Sequence, residues 1–291
     1  HRTVESTAHR AVESTAHRAV DLGNNVRGSK GLETASKKSC LVCATQRTGS
    51  TLLCEAMASS TVLGEATEFF LDELFDGLCF RWGLYNSDFA DFIKETQRRT
   101  TSQNGVYSAK IMWSSFQDVL IERLKPRDSS DPSGSSDSSQ FPSSSLCLSI
   151  LKAHFPDPRF LWIRRRNKVA QAISLYRASF SNVFHHRRQR KKNEKDPPPY
   201  DFTKIESKLQ FIEECESQWQ KFFSENRLEP LILYYEDFCE SLEDTLLIIL
   251  KYLGERAAER GIPKITPNLL KMADSTSKEW ELRFRKEREG N

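Results

Sequence analysis

Short runs of apolar residues alternate along the chain with longer segments whose apolar side chains recur every three or four positions. The runs at 40–44, 160–163 and 231–235 have the length and composition of buried strands. The segments at 204–226 and 242–253 have the spacing of helices packed on one face. Strands alternating with helices predict an α/β fold, a mainly parallel sheet with helices on both faces. Such sheets bind ligands at the carboxyl ends of their strands.

The polar turn after the first apolar run carries hydrogen-bond donors suited to an anion. Gly49 lets the backbone approach a ligand, and a helix-like segment begins after it, so N–H groups and the helix dipole face one point. The expected phosphate- or sulfate-binding residues are Arg47, Thr48, Gly49, Ser50, Thr51 and Leu52. The lysine and second glycine of the nucleoside-triphosphatase loop are missing, which argues against ATP with magnesium. Taken alone, the turn is equally compatible with an ordinary capped strand–helix connection.

A second strand-then-helix segment, residues 159–178, has consecutive arginines at the end of its apolar run. Asn167 is placed to cap the helix, and Ser174 lies about two turns into it, on the order of 10 Å along the axis. A guanidinium from the strand end and the Ser174 hydroxyl could hold one phosphate from two sides. The alternative is a solvated strand end and a serine bonded to its own helix backbone.

Four segments of the chain resemble, in amino-acid sequence and in order, the motifs of sulfotransferases that use 3′-phosphoadenosine 5′-phosphosulfate. They are the loop at 46–53, a glutamate segment at 64–70, a strand at 109–113 and the arginine–helix segment at 165–178. The resemblance is greatest to the trehalose 2-sulfotransferase type of mycobacteria, over roughly residues 38–288. Ala66 replaces a proline of that type, which could move the substrate loop, and Asn167 replaces an aspartate but keeps a helix cap.

The resemblance implies a P-loop-like sulfotransferase fold. It also implies an enzyme that transfers sulfate from 3′-phosphoadenosine 5′-phosphosulfate to a hydroxyl group without using a metal. We expect this hydroxyl to belong to a carbohydrate or glycolipid. Glu68 would be the catalytic base, and Arg47 would stabilise charge on the oxygen that bridges phosphate and sulfate. The 3′-phosphate would lie at Arg165 and Ser174. The implied acceptor-binding residues are Gln46, Glu65, Glu68 and Phe69. A homodimer is also compatible with the resemblance.

Two other functions stay open from the residues alone: a P-loop nucleotide kinase or nucleoside triphosphatase, and a catalytically silent nucleotide-binding module. The missing loop lysine argues against the kinase. The joint presence of Glu68 and Arg47 argues against the silent module. Without the resemblance, Glu65 and Glu68 would be interpreted as surface glutamates at a helix start.

The acceptor pocket is expected to be lined by residues 71–103, which match the trehalose enzyme poorly, so trehalose itself is not the expected acceptor. Trp82 and Trp113 offer flat apolar faces suited to sugar rings, although core packing is the more common role of a tryptophan. The basic run at 185–199 follows the predicted 3′-phosphate helix. It is either a solvated loop or a border of the acceptor site.

Composition narrows the class of protein without adding a function. The net charge of +3 is too small to favour nucleic acid, and no apolar run approaches the ~20 residues of a membrane helix. The seven scattered cysteines favour a reducing compartment and hence a cytoplasmic location. Cys40 and Cys43 are expected in the core rather than on a metal. Because the chain starts at His1, an N-terminal targeting segment or anchor that has been removed stays open.

The chain is expected to form one domain at residues 38–290, preceded by a disordered tail at 1–37. The tail repeats an eight-residue unit that is poor in large apolar side chains. Within the domain, the serine-rich stretch at 126–145 is expected to be a flexible insertion, and residues 185–199 a basic loop.

Overall fold

The computed structural model describes residues 34–85, 87–125, 142–181, 198–255 and 275–290. Its strands are β1 (Lys38–Ala44), β2 (Val106–Met112), β3 (Pro158–Arg164) and β4 (Leu231–Tyr234). Its longer helices are α1 (Ser50–Ser59), α2 (Asp72–Trp82), α3 (Phe89–Thr100), α4 (Ser144–His154), α5 (Lys168–Ser181), α6 (Phe202–Glu225), α7 (Leu242–Tyr252) and α8 (Ser275–Glu289). Shorter helical pieces are Trp113–Ser115, Phe116–Ile121, Glu122–Leu124 and Tyr235–Phe238.

The four strands form one parallel sheet in the order β2-β1-β3-β4. β1 lies between β2 and β3, and the side chains of its last six residues are buried, as its unbroken apolar run predicts. Cys40 and Cys43 of this strand are free thiols that pack into the cores on opposite faces. Burial raises the pKa of Cys40 to about 12, so this thiol is not ionised at neutral pH.

Helices cover both faces of the sheet, which confirms the predicted α/β architecture. One face packs against α2, α3, α4 and α6 in a core rich in aromatic rings. The other face packs against α1 and α7. A third cluster joins α5, α6 and α8 beside the sheet. Because β1 is covered from both sides, the loop that follows it is held by a rigid, dry support.

Several element boundaries differ from those expected from the sequence. α4 begins at Ser144, where the Ser143 hydroxyl accepts a hydrogen bond from the N–H of Leu146 at 3.3 Å, so the last two residues of the predicted serine-rich insertion are helical. The final strand ends at Tyr234, because Tyr235 already starts a short helix. Residues 1–33 of the predicted tail, 126–141 of the insertion and 185–197 of the basic loop lie outside the described residues.

Candidate active site

The carboxyl ends of all four strands meet at one edge of the sheet, and the segments singled out in the sequence follow these ends. Residues 45–49 follow β1, and the arginine run overlaps the end of β3. Tyr235 follows β4, and Trp113 follows β2. A parallel sheet therefore brings together segments that are far apart along the chain.

The loop after β1 requires glycine at position 49. Gly49 has a φ of 77°, and a Cβ atom there would lie 2.8 Å from Cε2 of Tyr235. Arg47, two residues earlier, has a φ of 64°, which is uncommon for a side chain of this size. Such backbone conformations cluster at ligand sites, where surrounding packing maintains them.

The loop leads directly into the N-terminus of α1. Among the described residues, no side chain caps this helix, and its first turn carries no acidic residue. Within the described ranges, the first backbone N–H groups are thus left without a side-chain cap, and their binding of an anion stays a prediction. The Thr48 hydroxyl is committed elsewhere, because it donates to the carbonyl of Thr45 at 2.9 Å within the buried turn.

Arg47 connects the loop to α5, the helix that was expected to hold a phosphate. Its Nε donates to Oγ of Ser174 at 3.0 Å. The pKa of Arg47 is lowered to about 10, first by burial and then by the positive charge of Arg165. Two guanidinium groups thus lie close together in a partly buried site, which favours an anion beside them.

The three arginines at the end of β3 point in different directions. Arg164 donates to Glu216 at 3.0 Å, and Arg166 donates to both carboxylate oxygens of Asp237 at 2.5 and 2.7 Å. Arg165 instead turns toward the anion loop, where it donates to the carbonyl of Arg47 at 3.4 Å. Among the described residues, the buried Nε of Arg165 has no hydrogen-bond partner. The orientation favours Arg165 over its two neighbours as a phosphate ligand.

The turn that presents Arg165 is braced by Glu236. Its carboxylate accepts the backbone N–H groups of Arg166 at 3.0 Å and Asn167 at 3.2 Å. Burial opposes ionisation of Glu236, but these hydrogen bonds outweigh it and lower its pKa. Asn167 caps α5 through a 3.0 Å hydrogen bond from the N–H of Ala170, so the departure from aspartate keeps the cap.

Glu68, the predicted base, lies beside β2. Thr67 forms a parallel bridge with Ala109, and the N–H of Lys110 donates to the carbonyl of Thr67 at 3.0 Å. This pairing sets the Glu68 carboxylate 2.9 Å from Nζ of Lys110. Both residues are buried, with 7% and 5% of their surface exposed. Glu68 is therefore not the surface glutamate that its sequence neighbourhood alone would suggest.

Some predicted acceptor-binding residues are not presented at the surface. Phe69 is 1% exposed, and its ring packs edge-on against Trp82 at 6.1 Å. Trp113 is also buried, 4.8 Å from the ring of Trp219. The structure thus places Phe69 and Trp113 in the core, where an acceptor would not meet their rings. Gln46 and Glu65 keep partial exposure.

Two residues of the site were absent from the sequence-based candidates. Lys110 donates to Oγ1 of Thr51 at 3.1 Å and so joins Glu68 to the anion loop. The buried Gln171 donates to Oγ1 of Thr45 at 2.9 Å and to the carbonyl of Gln46 at 2.7 Å, fixing the loop to α5. Both belong to the segments that carry the family resemblance. A lysine inside a buried strand was the available signal for Lys110.

The edge of this α/β sheet brings together a glycine turn at a helix N-terminus, the Arg47 and Arg165 guanidinium groups and the buried carboxylate of Glu68. Such a set of groups is typical of an enzyme that transfers a group from an anionic donor. The family model described as Stf0 sulphotransferase matches residues 39–287. The chain therefore belongs to this family and is a sulfotransferase.

Curated relatives agree with this assignment. The chain is 28% identical over 280 residues to the trehalose 2-sulfotransferase of Mycolicibacterium smegmatis, covering 85% of this chain and 94% of the relative. It is 26% identical over 271 residues to the trehalose 2-sulfotransferase of Mycobacterium tuberculosis, with the same coverage. A sulfotransferase domain of the Synechococcus PCC 7002 olefin synthase covers 89% of this chain and 98% of its own at a TM-score of 0.41 and 14% identity, a likeness too low to argue from.

The described residues were also compared with the features of membrane-spanning helices and of metal sites. None of the helices in the described ranges combines the length and apolar character needed to cross a bilayer. Within the same ranges, no three His, Cys, Asp or Glu side chains are grouped as metal ligands.

Proposed function

We propose that this sulfotransferase transfers sulfate from 3′-phosphoadenosine 5′-phosphosulfate to a hydroxyl of a carbohydrate or glycolipid. The observation that carries the proposal is the position of a buried carboxylate, Glu68, beside an anion loop that a second arginine site adjoins. A donor with a 5′-phosphosulfate and a 3′-phosphate has its two anionic groups at separate ends of one nucleotide. We assign the 5′-phosphosulfate to the loop and the 3′-phosphate to Arg165 and Ser174, both of which contact the loop at Arg47.

The residues present fit this donor. Arg165 Nε has no hydrogen-bond partner within the described ranges, and the charges of Arg47 and Arg165 repel each other. Both facts favour an anion between α5 and the loop. The open N-terminus of α1 and the close-approach position of Gly49 suit the 5′-phosphosulfate. Thr51 and the backbone N–H of Leu52 complete this part of the site, and Ser50, 3% exposed, contributes through its backbone.

Three tasks in the reaction fall to this chain. Glu68 takes the proton of the acceptor hydroxyl as its oxygen bonds to sulfur. Arg47 and the loop N–H groups stabilise the negative charge that collects on the phosphate oxygen when its bond to sulfur breaks. Arg165 and Ser174 hold the nucleotide in place while this happens, which keeps the reacting atoms aligned. The bound donor itself supplies the activated sulfuryl group.

The acceptor class is proposed from the relatives, both of which are trehalose 2-sulfotransferases. Trehalose itself is not the acceptor we expect, because residues 71–103 match that type poorly and Ala66 replaces its proline. Gln46 and Glu65 are the partly exposed polar residues proposed to contact the acceptor. A homodimer is proposed on the family resemblance and is checked by light scattering.

Two assays test the proposal. Adenosine 3′,5′-bisphosphate should raise the melting temperature, while ATP with magnesium should raise it far less. Labelled donor should then sulfate at least one member of a panel of disaccharides and glycolipids. Labelling of phenols or sterols alone would overturn the carbohydrate acceptor, and stabilisation by ATP alone would overturn the donor.

A further inference from the structure

Lys110 is a buried cation in a strand that is otherwise dominated by small and apolar side chains. Only 5% of its surface is exposed, and its neighbours along β2 are Ala109 and Ile111. A lysine is rarely buried unless its charge is paired, because removing an ammonium from water is costly. Here Nζ contacts Glu68 at 2.9 Å and donates to Oγ1 of Thr51 at 3.1 Å. Lys110 therefore joins the proposed base to the loop that is proposed to hold the donor.

We propose that Lys110 is the positioning residue for the base: it pairs with the Glu68 carboxylate and orients it toward the acceptor hydroxyl. This inference rests on the proposed function. In the transfer step, the acceptor oxygen bonds to sulfur, and the bond between sulfur and the phosphate oxygen breaks with its electron pair going to that oxygen. The hydroxyl proton goes to Glu68, and Lys110 keeps its own proton throughout.

If the ion pair of Glu68 and Lys110 only stabilised the fold, it would not need to lie beside the anion loop. In the part of the chain that the structure describes, Glu216 is a second buried carboxylate that pairs with cations; it contacts Arg164 and Lys168 and supports the end of β3. A buried ion pair is often no more stable than a well-packed apolar pair of similar size, so stability alone is a weak reason to keep one. The pair of Glu68 and Lys110 differs from that at Glu216, because it also contacts the anion loop through Thr51.

Other titratable groups of the described residues lie near the pair of Glu68 and Lys110. α1 brings Cys54 close to the pair, with Glu55 beside it, and Glu65 precedes Glu68 in the same segment. Burial raises the pKa of the Cys54 thiol to about 12, so it stays neutral at the pH values of an assay. Lys110 is a positive charge in direct contact with the Glu68 carboxylate, at 2.9 Å.

The test is the pH dependence of sulfate transfer by Lys110→Met and Lys110→Arg. Lys110→Met should lower kcat on the order of 10²-fold, as expected when a base loses its function. The acidic limb of its kcat/KM profile should move to higher pH by about one unit or more, because a buried carboxylate without a neighbouring cation ionises less readily. Lys110→Arg should change kcat and the acidic limb less than Lys110→Met does, since arginine keeps the positive charge. Stabilisation by adenosine 3′,5′-bisphosphate should persist in each variant, which also shows that it is folded.

Lys168→Met is the control, because it removes a lysine from a different buried carboxylate, Glu216, which keeps its ion pair with Arg164. It should leave the acidic limb in place. An active wild type whose Lys110→Met variant keeps both its turnover and its acidic limb would overturn the inference alone. A wild type that transfers no sulfate would overturn the proposed function and the inference together.

The double variant Glu68→Gln with Lys110→Met covers the case in which the single lysine variant does not fold. It removes both buried charges at once, which avoids an unpaired carboxylate. If Lys110 acts through Glu68, the double variant should have the turnover of Glu68→Gln within about 3-fold, as expected when two residues work as a unit. A further loss of about 10-fold or more would show that Lys110 acts independently and would contradict the positioning role.

Discussion

Glu68 illustrates how the surroundings of a single residue are set by neighbours that are distant in sequence. It occupies a glutamate-containing segment that could equally start a surface helix. Pairing of Thr67 with Ala109 buries the carboxylate and sets it against Lys110. A carboxylate that is shielded from water and held by one cation is suited to proton abstraction, because its orientation does not have to be found during the reaction.

Glu68→Gln should lower turnover by about 10² to 10⁴-fold, since an amide cannot accept the acceptor's proton. Binding of adenosine 3′,5′-bisphosphate, followed by thermal shift, should remain. Near wild-type turnover would move the base to Glu65, for which Glu65→Gln is the companion variant.

The three arginines at the end of β3 give a second prediction at the residue scale. Arg165→Ala should weaken binding of the 3′-phosphorylated nucleotide by about 1.5 to 3 kcal/mol, and Ser174→Ala by less, because a charged hydrogen bond is worth more than a neutral one. Affinity for adenosine 5′-phosphosulfate, which lacks the 3′-phosphate, should change little. Calorimetric titration with both nucleotides measures the difference.

Arg166→Ala is the control for this prediction, because Arg166 is exposed and paired with Asp237. It should leave the preference for the 3′-phosphate unchanged. A phosphate-selective loss in Arg166→Ala alone would show that the phosphate ligand is the next residue along the chain.

At the scale of elements, the site depends on how β1, its loop and α1 are joined. Gly49 has a φ that disfavours other residues, and Tyr235 from the end of β4 closes over it. Gln171 from α5 fixes the start of the same loop. The turn between β1 and α1 is therefore also held by Tyr235, which follows β4, and by Gln171 of α5. Its N–H groups are positioned by packing as well as by local sequence.

Gly49→Ala should impair the loop more than the fold. The added methyl group meets the ring of Tyr235, and the backbone conformation disfavours alanine, so the loop must move. We expect a loss of stability of about 1 to 3 kcal/mol in chemical denaturation and loss of most stabilisation by nucleotide. Gly83→Ala is a matched control, because Gly83 has a similar φ of 72° but no atom within 4 Å of the added methyl group. Equal effects of both changes on nucleotide binding would contradict the close-approach role.

At the scale of the whole molecule, the anion site is held at a cost to stability. The folded protein lowers the pKa of Arg47 from its ordinary value to about 10. The unfolded chain binds this proton more tightly, so the charged side chain opposes folding at every pH below about 10. This penalty disappears as the pH rises from about 10 toward the ordinary pKa of arginine. Burial and the charge of Arg165 are the causes, and a bound anion would relieve the second.

Arg47→Met should therefore raise the melting temperature of the nucleotide-free protein at neutral pH. A gain of about 1 kcal/mol is expected, which is roughly 2 to 4 °C for a chain of this size, because removal of the repulsion outweighs the lost hydrogen bond to Ser174. The same variant should lose most of its stabilisation by adenosine 3′,5′-bisphosphate. A lower melting temperature without nucleotide would show that Arg47 contributes net stability.

The sequence by itself determined the alternation of strands and helices, the anion loop after β1 and the cap at Asn167. These features depend on periodicity, on a glycine that alone tolerates its position and on a side chain bonded within one turn, all of which are local. The parallel sheet followed from these features, and so did the edge of the sheet at which the segments that resemble sulfotransferases meet. The family resemblance added the roles proposed for the residues at that edge.

Only the tertiary structure decided which side chains meet there. Arg164, Arg165 and Arg166 are equivalent in the sequence, and they are distinguished by Glu216 and Asp237, whose carboxylates lie 52 and 71 residues further along the chain. The contact of Lys110 with Glu68 and Thr51 likewise joins three segments. Phe69 was expected at the acceptor and lies in the core, because burial next to Trp82 gives its ring more favourable packing. Side-chain direction at the end of a strand depends on distant partners, and no local pattern records them.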